Sequence, residues 1–165
     1  MEQRPRETPA DLAEVLPILG RVSILGGLDE AQLQTVLGKM RRARFPAGTR
    51  IFEQGGRPDC IYVIRRGRVK IVVDVDARPM ELVEYGAGQC FGETSAIGIL
   101  PHSATALALE DTEALVLPVR AVHELYREDP ALFGILMLNI AREACRRLHK
   151  TDEIMLHYAA RKGSG

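Results

Sequence analysis

At 165 residues, 46% of them apolar and 27% charged, the chain has the size of one ordinary globular domain with a real core. Lysine and arginine number 22 and aspartate and glutamate 22, so no net charge draws it toward nucleic acid or anionic lipid. No apolar run approaches the roughly 20 residues of a membrane span, and Met1–Glu7 is charged where a secretory leader would be apolar. Cys60, Cys90 and Cys145 are odd in number and widely spaced, which excludes a disulfide frame or a C-x-x-C metal site and predicts reduced, cytoplasmic thiols.

In chain order, residues 1–10 are polar and proline-bearing, which predicts a frayed end. Asp11 to Met40 reads as helix, broken near Pro17 and again at Gly26-Gly27. Leu28-Asp29-x-x-Gln32-Leu33 carries the pattern of an N-cap with a hydrophobic staple, and Leu33, Val36, Leu37 and Met40 share one helical face. From Arg41 to Pro118 the pattern changes to short strands separated by turns such as Pro46-Ala47-Gly48, Gln54-Gly55-Gly56 and Gly86-Ala87-Gly88. The predicted strands are Arg50–Glu53, Cys60–Ile64, Val69–Val75, Met80–Tyr85, Ala104–Leu109 and Thr112–Leu117. Glu93–Leu100 is too poor in β-branched residues for a strand and reads as one or two helical turns. Strands at this spacing predict an antiparallel jelly-roll barrel.

After Pro118 the chain returns to helix. Arg120–Arg127 is a short amphipathic piece, and Asp129-Pro130 supplies an N-cap with proline at the first helical position. A helix follows from Ala131 to about Ala160. Met137, Ala141, Ala144, Leu148, Thr151, Met155 and Tyr158 alternate four- and three-residue spacings, as a helix–helix seam does. The first part, Leu132–Ile140, is expected to pack on the chain's own barrel and the distal part on a partner helix. Arg65, Arg66 and Arg68 flank a hairpin turn and read as a solvated tip. Arg142, Arg146, Arg147 and Lys150 make the closing helix locally basic, but Glu143, Asp152 and Glu153 interrupt them. Solubility and pairing account for that face.

The most informative stretch is Phe91-Gly92-Glu93, followed by His102-Ser103-Ala104-Thr105. A glycine and a carboxylate open a helical turn and a polar pair closes the segment. That suits a small sugar phosphate, with backbone N–H groups for the anion and a carboxylate for a hydroxyl. Alternatively, Glu93 is a solvated acid at a helix start.

An ordered set of anchors resembles the cyclic nucleotide-binding domain found in catabolite activator proteins, cyclic-nucleotide-dependent kinases and gated channels. The set comprises Leu25-Gly26-Gly27-Leu28, Phe45-Pro46-Ala47-Gly48, Ile61-Tyr62-Val63-Ile64 before Gly67, Gly88-x-x-Phe91-Gly92-Glu93, and Ser103-Ala104-Thr105. The resemblance implies an α+β fold: an antiparallel jelly-roll barrel with N-terminal helices, an embedded phosphate-turn helix and a long C-terminal helix. It divides the chain into residues 1–17 as N-terminal tail and helix, 18–160 as the domain with its closing helix 130–160, and 161–165 as a tail. It implies a cyclic nucleotide as ligand, cyclic AMP rather than cyclic GMP because Ser103 is not threonine.

By the same resemblance, Glu93 accepts the ribose 2′-hydroxyl, Gly92 and Thr94 present backbone N–H groups, Ser103 contacts the phosphate and Thr151 reaches the base, with Asp152 beside it. Arg146-Arg147-Leu148-x-x-Thr151 is similar to the dimerisation helix of the bacterial regulators, which implies a homodimer. A helix-turn-helix domain follows in those regulators. The expectation here is a stand-alone, non-enzymatic module that signals to another protein, with no DNA-binding domain and no membrane attachment.

One position departs. His102 stands where the family usually has arginine, whose fork pairs phosphate oxygens at any physiological pH. An unperturbed imidazole, with a pKa of about 6.5, is mostly neutral at pH 7. Losing a charged hydrogen bond worth roughly 1.5–3 kcal/mol weakens binding about ten- to a hundred-fold. The sequence therefore leaves two readings open: a weak site that tightens as the imidazole protonates, or an adaptor that binds no ligand.

Overall fold

In the computed structural model, residues 8–9, 12–16, 18 and 21–162 are described. The expected break at Pro17 and the tail at 163–165 lie outside them. The elements in order are β1 (Thr8–Pro9), α1 (Leu12–Val15), a 3-10 turn (Ser23–Leu25), α2 (Glu30–Gly38), β2 (Arg41–Phe45), β3 (Arg50–Phe52), β4 (Cys60–Arg66) and β5 (Val69–Val73). They continue with β6 (Met80–Tyr85), β7 (Cys90–Phe91), α3 (Glu93–Gly98), β8 (Thr105–Ala108), β9 (Thr112–Pro118), α4 (Val119–Glu128) and α5 (Pro130–Lys162).

The strands form two antiparallel sheets, ordered β1-β2-β9-β4-β7 and β3-β8-β5-β6. This is the jelly-roll arrangement expected from the sequence. β9 runs between β2 and β4, so six of its seven residues are buried. Its period-2 alternation divides two cores. Ala114 and Val116 face the barrel interior with Ala43, Phe45 and Ala108. Leu115 and Leu117 face the helices, where they meet Ile24, Val36, Leu125 and Leu136.

The capping pattern at Leu28–Leu33 closes as a reciprocal box: Gln32 N–H donates to Asp29 Oδ1 at 2.8 Å and Asp29 N–H to Gln32 Oε1 at 3.0 Å. At α5, Leu132 N–H donates to Asp129 Oδ1 at 2.9 Å, behind Pro130.

Four expectations are corrected. The end expected to fray contributes β1, with Thr8 opposite Arg42 and Pro9 opposite Arg41. A proline is tolerated there because the strand is at a sheet edge. β2 pairs along all of Arg41–Phe45 with β9, although its arginines hide the alternation of Ala43 and Phe45. The third predicted strand stops at Val73, because Asp74 takes a left-handed φ of 51°. Of the arginines near Gly67, Arg66 and Arg68 are exposed as a solvated tip would be, but Arg65 is half-buried and its Nε donates to the mostly buried Glu113 at 2.7 Å.

α5 changes character along its length. Leu132, Leu136 and Ile140 are buried at four-residue spacing, each worth about 1.5–3 kcal/mol of burial. Asn139 Nδ2 donates to the carbonyls of Ile24, at 3.3 Å, and Gly26, at 2.7 Å, so it caps the 3-10 turn. Beyond Ile140 no described residue of α5 is fully buried, and Leu148, Ile154, Met155 and Leu156 are exposed.

Candidate ligand-binding site

β7 ends where the chain must turn sharply into α3. Gly92 makes that turn with φ 81°, and a Cβ there would sit 3.1 Å from the Cys60 carbonyl oxygen and 3.2 Å from the Tyr62 ring. Only glycine meets both conditions without strain. The turn directs Glu93 inward, and the whole side chain is buried.

The far end of the chain meets it. Arg147, in the middle of α5, donates from Nη1 to Glu93 Oε1 at 2.5 Å and from Nη2 to the Cys90 carbonyl at 2.5 Å. Its Nε donates to Glu143 Oε1 at 3.1 Å, and its guanidinium carbon lies 4.6 Å over the Tyr85 ring. Glu143 also accepts from Arg146 at 2.6 Å and from the Ser23 hydroxyl at 2.9 Å, which ties α5 to the 3-10 turn. One buried carboxylate oxygen remains without a partner among the described residues, Glu93 Oε2.

Between these groups lies a cavity of about 670 Å³. Gly92, Glu93, Thr94, His102, Ser103 and Thr151 all line it. The structure therefore brings these six together, while Asp152, also expected near the base, does not line the cavity. Thr94, Ser103 and Thr151 are exposed at its margin. Thr151 Oγ1 donates to the Arg147 carbonyl at 3.0 Å. Arg146 and Lys150 stand at the same margin, both exposed, and Ile154 adds an apolar side chain.

His102 is the main correction. Its ring stacks on Phe52 at 3.7 Å with planes 7° apart and is only 4% exposed. Burial lowers its pKa below the ordinary value. The imidazole is accordingly neutral at pH 7 and further from protonation than an unperturbed histidine. Its backbone is pinned as well, since Gly55 N–H donates to the His102 carbonyl at 2.7 Å and His102 N–H to the Gly56 carbonyl at 2.9 Å. Ring contacts continue from Phe52 to Phe91, tilted at 42°, then to Tyr85 and on to Arg147.

Arg147 is the second correction, because it belongs to the cavity and not to a solvated face. Its signal was present in the sequence: Glu143, Arg147 and Thr151 recur every four residues and so share a side of the helix. What one helix could not reveal is that Glu93 lies across from that side.

Burial raises the pKa of Glu93, and the neighbouring Arg147 opposes it; burial prevails. At Glu143 burial also raises the pKa, but the hydrogen bonds from Arg146 and Ser23 outweigh it and the net shift is downward. Burial pushes the Cys90 thiol up to about 12, so it stays protonated and unreactive. Among the described residues no cluster of His, Cys, Asp and Glu could hold a metal ion.

A family model described as the cyclic nucleotide-binding domain matches residues 42–129. The chain belongs to the cyclic nucleotide-binding domain family. The cyclic AMP receptor protein of Thermus thermophilus is 33% identical over 131 residues, covering 76% of this chain and 57% of that protein. The human patatin-like phospholipase domain-containing protein 6 is 35% identical over 85 residues, which cover 51% of this chain and only 6% of that protein. The chain thus spans just over half of the first of these relatives and a small fraction of the second. A solved cyclic nucleotide-binding domain from Methylobacillus flagellatus superposes with a TM-score of 0.78 over 87% of this chain and 82% of that one, at 22% identity. The cyclic nucleotide-binding domain is a regulatory module, and the phospholipase likeness is confined to that segment. No helix among the described residues is long and apolar enough to cross a membrane.

Proposed function

We propose that this domain binds a 3′,5′-cyclic nucleotide in the cavity beside Gly92 and transmits its presence through α5. The observation that carries the proposal is Glu93 Oε2, a fully buried acceptor without a partner at the cavity wall. An orphaned buried carboxylate oxygen costs free energy, and a ribose 2′-hydroxyl donates one hydrogen bond to it. Gly92, Thr94 and Ser103 stand beside it for the phosphate and Thr151 for the base. His102 is buried and neutral, so the positive charge near the phosphate comes from α5, where Arg146, Arg147 and Lys150 line the cavity. Anion binding then pulls on the helix itself, and a ligand with unequal affinity for two helix positions shifts their populations. Cyclic AMP is the favoured ligand, by Ser103 and by the name of the Thermus relative.

We further propose a homodimer through the distal half of α5, where Ala141, Leu148 and Met155 are exposed on one seam, and a cytoplasmic, non-enzymatic role that acts on a downstream protein. The domain so defined comprises residues 18–160.

One observation favours the adaptor reading. Arg147 already spends its donors on Glu93, Cys90 and Glu143, so a ligand must compete with the protein for its strongest cation. Calorimetric titration with cyclic AMP, cyclic GMP and 2′-deoxy cyclic AMP separates the two. The sensor reading expects saturable heat with cyclic AMP, lost in Glu93→Ala, and a smaller effect of that substitution on the deoxy ligand. No heat at millimolar ligand at either pH 6 or pH 7.5 leaves the adaptor.

A further inference from the structure

The other end of α3 borders a second cavity, open to solvent and about 870 Å³ in volume, that the nucleotide reading does not use. Its apolar floor is made by Ala96, Pro118 and Val119, with the exposed Ile99, Leu100 and Pro101 along one edge. Its rim carries Arg57, Arg120 and His123, all exposed. The one acid among the described lining residues, Asp59, lies 3.8 Å from Arg57. Arg120, at the start of α4, has no ion-pair partner among the described residues.

Ile99 is the unusual residue of this groove. It is 84% exposed and holds a left-handed backbone, φ 53° and ψ 41°. A β-branched side chain is disfavoured in that conformation. The turn is nonetheless held, because the Ile99 and Leu100 N–H groups both donate to the Ser95 carbonyl. Leu100 is 62% and Ile97 41% exposed beside it. Apolar side chains are therefore displayed on a braced turn in the same groove as the unpaired Arg120.

We propose that this groove is a docking surface for an acidic protein segment bearing apolar anchor residues. The apolar floor takes the anchors, and the excess of basic side chains at the rim selects carboxylates over cations. An inorganic anion alone leaves the floor uncovered, and a basic segment meets Arg57 and Arg120. The surface does not depend on nucleotide binding, so its test is run without nucleotide and stands or falls alone.

A short fluorescein-labelled peptide in which Glu and Leu alternate is titrated with the full chain by anisotropy and by amide-resolved NMR. We expect saturable binding that weakens with salt, with amide shifts gathered at Ile99, Leu100, Arg120 and His123. The same peptide with Lys for Glu should bind at least about tenfold more weakly, since each misplaced like-charge contact works against it. Arg120→Glu alters an exposed, unpaired side chain and should cost a similar factor with an unchanged thermal midpoint. Ile99→Asp, a residue that tolerates the left-handed backbone better, should do the same. Equal binding of the Lys peptide, shifts located elsewhere, or undiminished binding by both variants would overturn the proposal.

Discussion

Arg147 reaches Glu93 across 54 positions of sequence, and the contact joins the closing helix to the buried start of α3. It is partly a structural necessity, since a carboxylate taken fully out of water needs a counter-charge. Arg147→Ala is expected to cost about 3 kcal/mol in urea unfolding, the low end for breaking a buried pair, because Arg147 keeps some solvent contact. A loss within experimental error would show that the pair contributes nothing to holding α5.

Glu93 also gives stability a pH dependence. Burial raises its folded pKa above the ordinary 4.5. Folding therefore favours the protonated acid, and the associated stability is complete below 4.5 and is lost as the pH climbs through the raised folded value. Glu93→Gln lacks this titration. Relative to that variant, the wild type should lose stability as the pH rises above 4.5 and through the raised folded value. Parallel pH profiles for the two proteins would contradict the assignment.

His102 has the opposite sign. Burial lowers its folded pKa below 6.5, so the stability tied to its neutral form is complete above 6.5 and lost as the pH falls through the lowered value. Its ring protons, followed by NMR, should titrate with a midpoint below 6.5. Cyclic nucleotide affinity should stay flat from about pH 7 to 8. His102→Arg should keep the stack on Phe52 with a planar guanidinium and add a permanent charge. Binding at pH 7.5 is expected to tighten about ten- to a hundred-fold. An unchanged affinity would place the phosphate away from this residue.

Gly92→Ala combines a left-handed backbone with a Cβ 3.1 Å from the Cys60 carbonyl. A destabilisation of about 1–3 kcal/mol is expected from the strained backbone alone, with cyclic nucleotide binding lost as the turn moves. Chemical unfolding and calorimetry on the same variant check both effects.

The exposed seam of α5 predicts self-association. Leu148 is 63% and Met155 65% exposed, and neither touches the barrel core. Leu148→Glu with Met155→Glu should convert a dimer to a monomer in sedimentation velocity while leaving the far-ultraviolet circular dichroism unchanged. A wild-type protein that sediments as a monomer at all concentrations would remove the dimer from the proposed function.

Much of this architecture was legible because it is local. Short apolar runs bounded by turn residues mark β4 and β9, Asp29 and Asp129 cap the helices they precede, and Gly92 marks a turn that only glycine makes without strain. β1 and β2 were harder to read. Two residues carry no period, and three arginines obscure the two apolar positions of β2. The strand assignment there comes from pairing with β9, which lies far away in sequence.

The amino-acid sequence by itself determined the family, the barrel and the Gly92–Ser103 side of the cavity, because those depend on patterns within a few neighbouring positions. Tertiary structure alone decided the electrostatics. Whether His102 carries charge depends on its burial against Phe52, and whether Arg147 is solvated or central depends on the path α5 takes across the turn. Desolvation and counter-charge are properties of what surrounds a group in space, and residues 54 positions apart become neighbours only when the chain has folded.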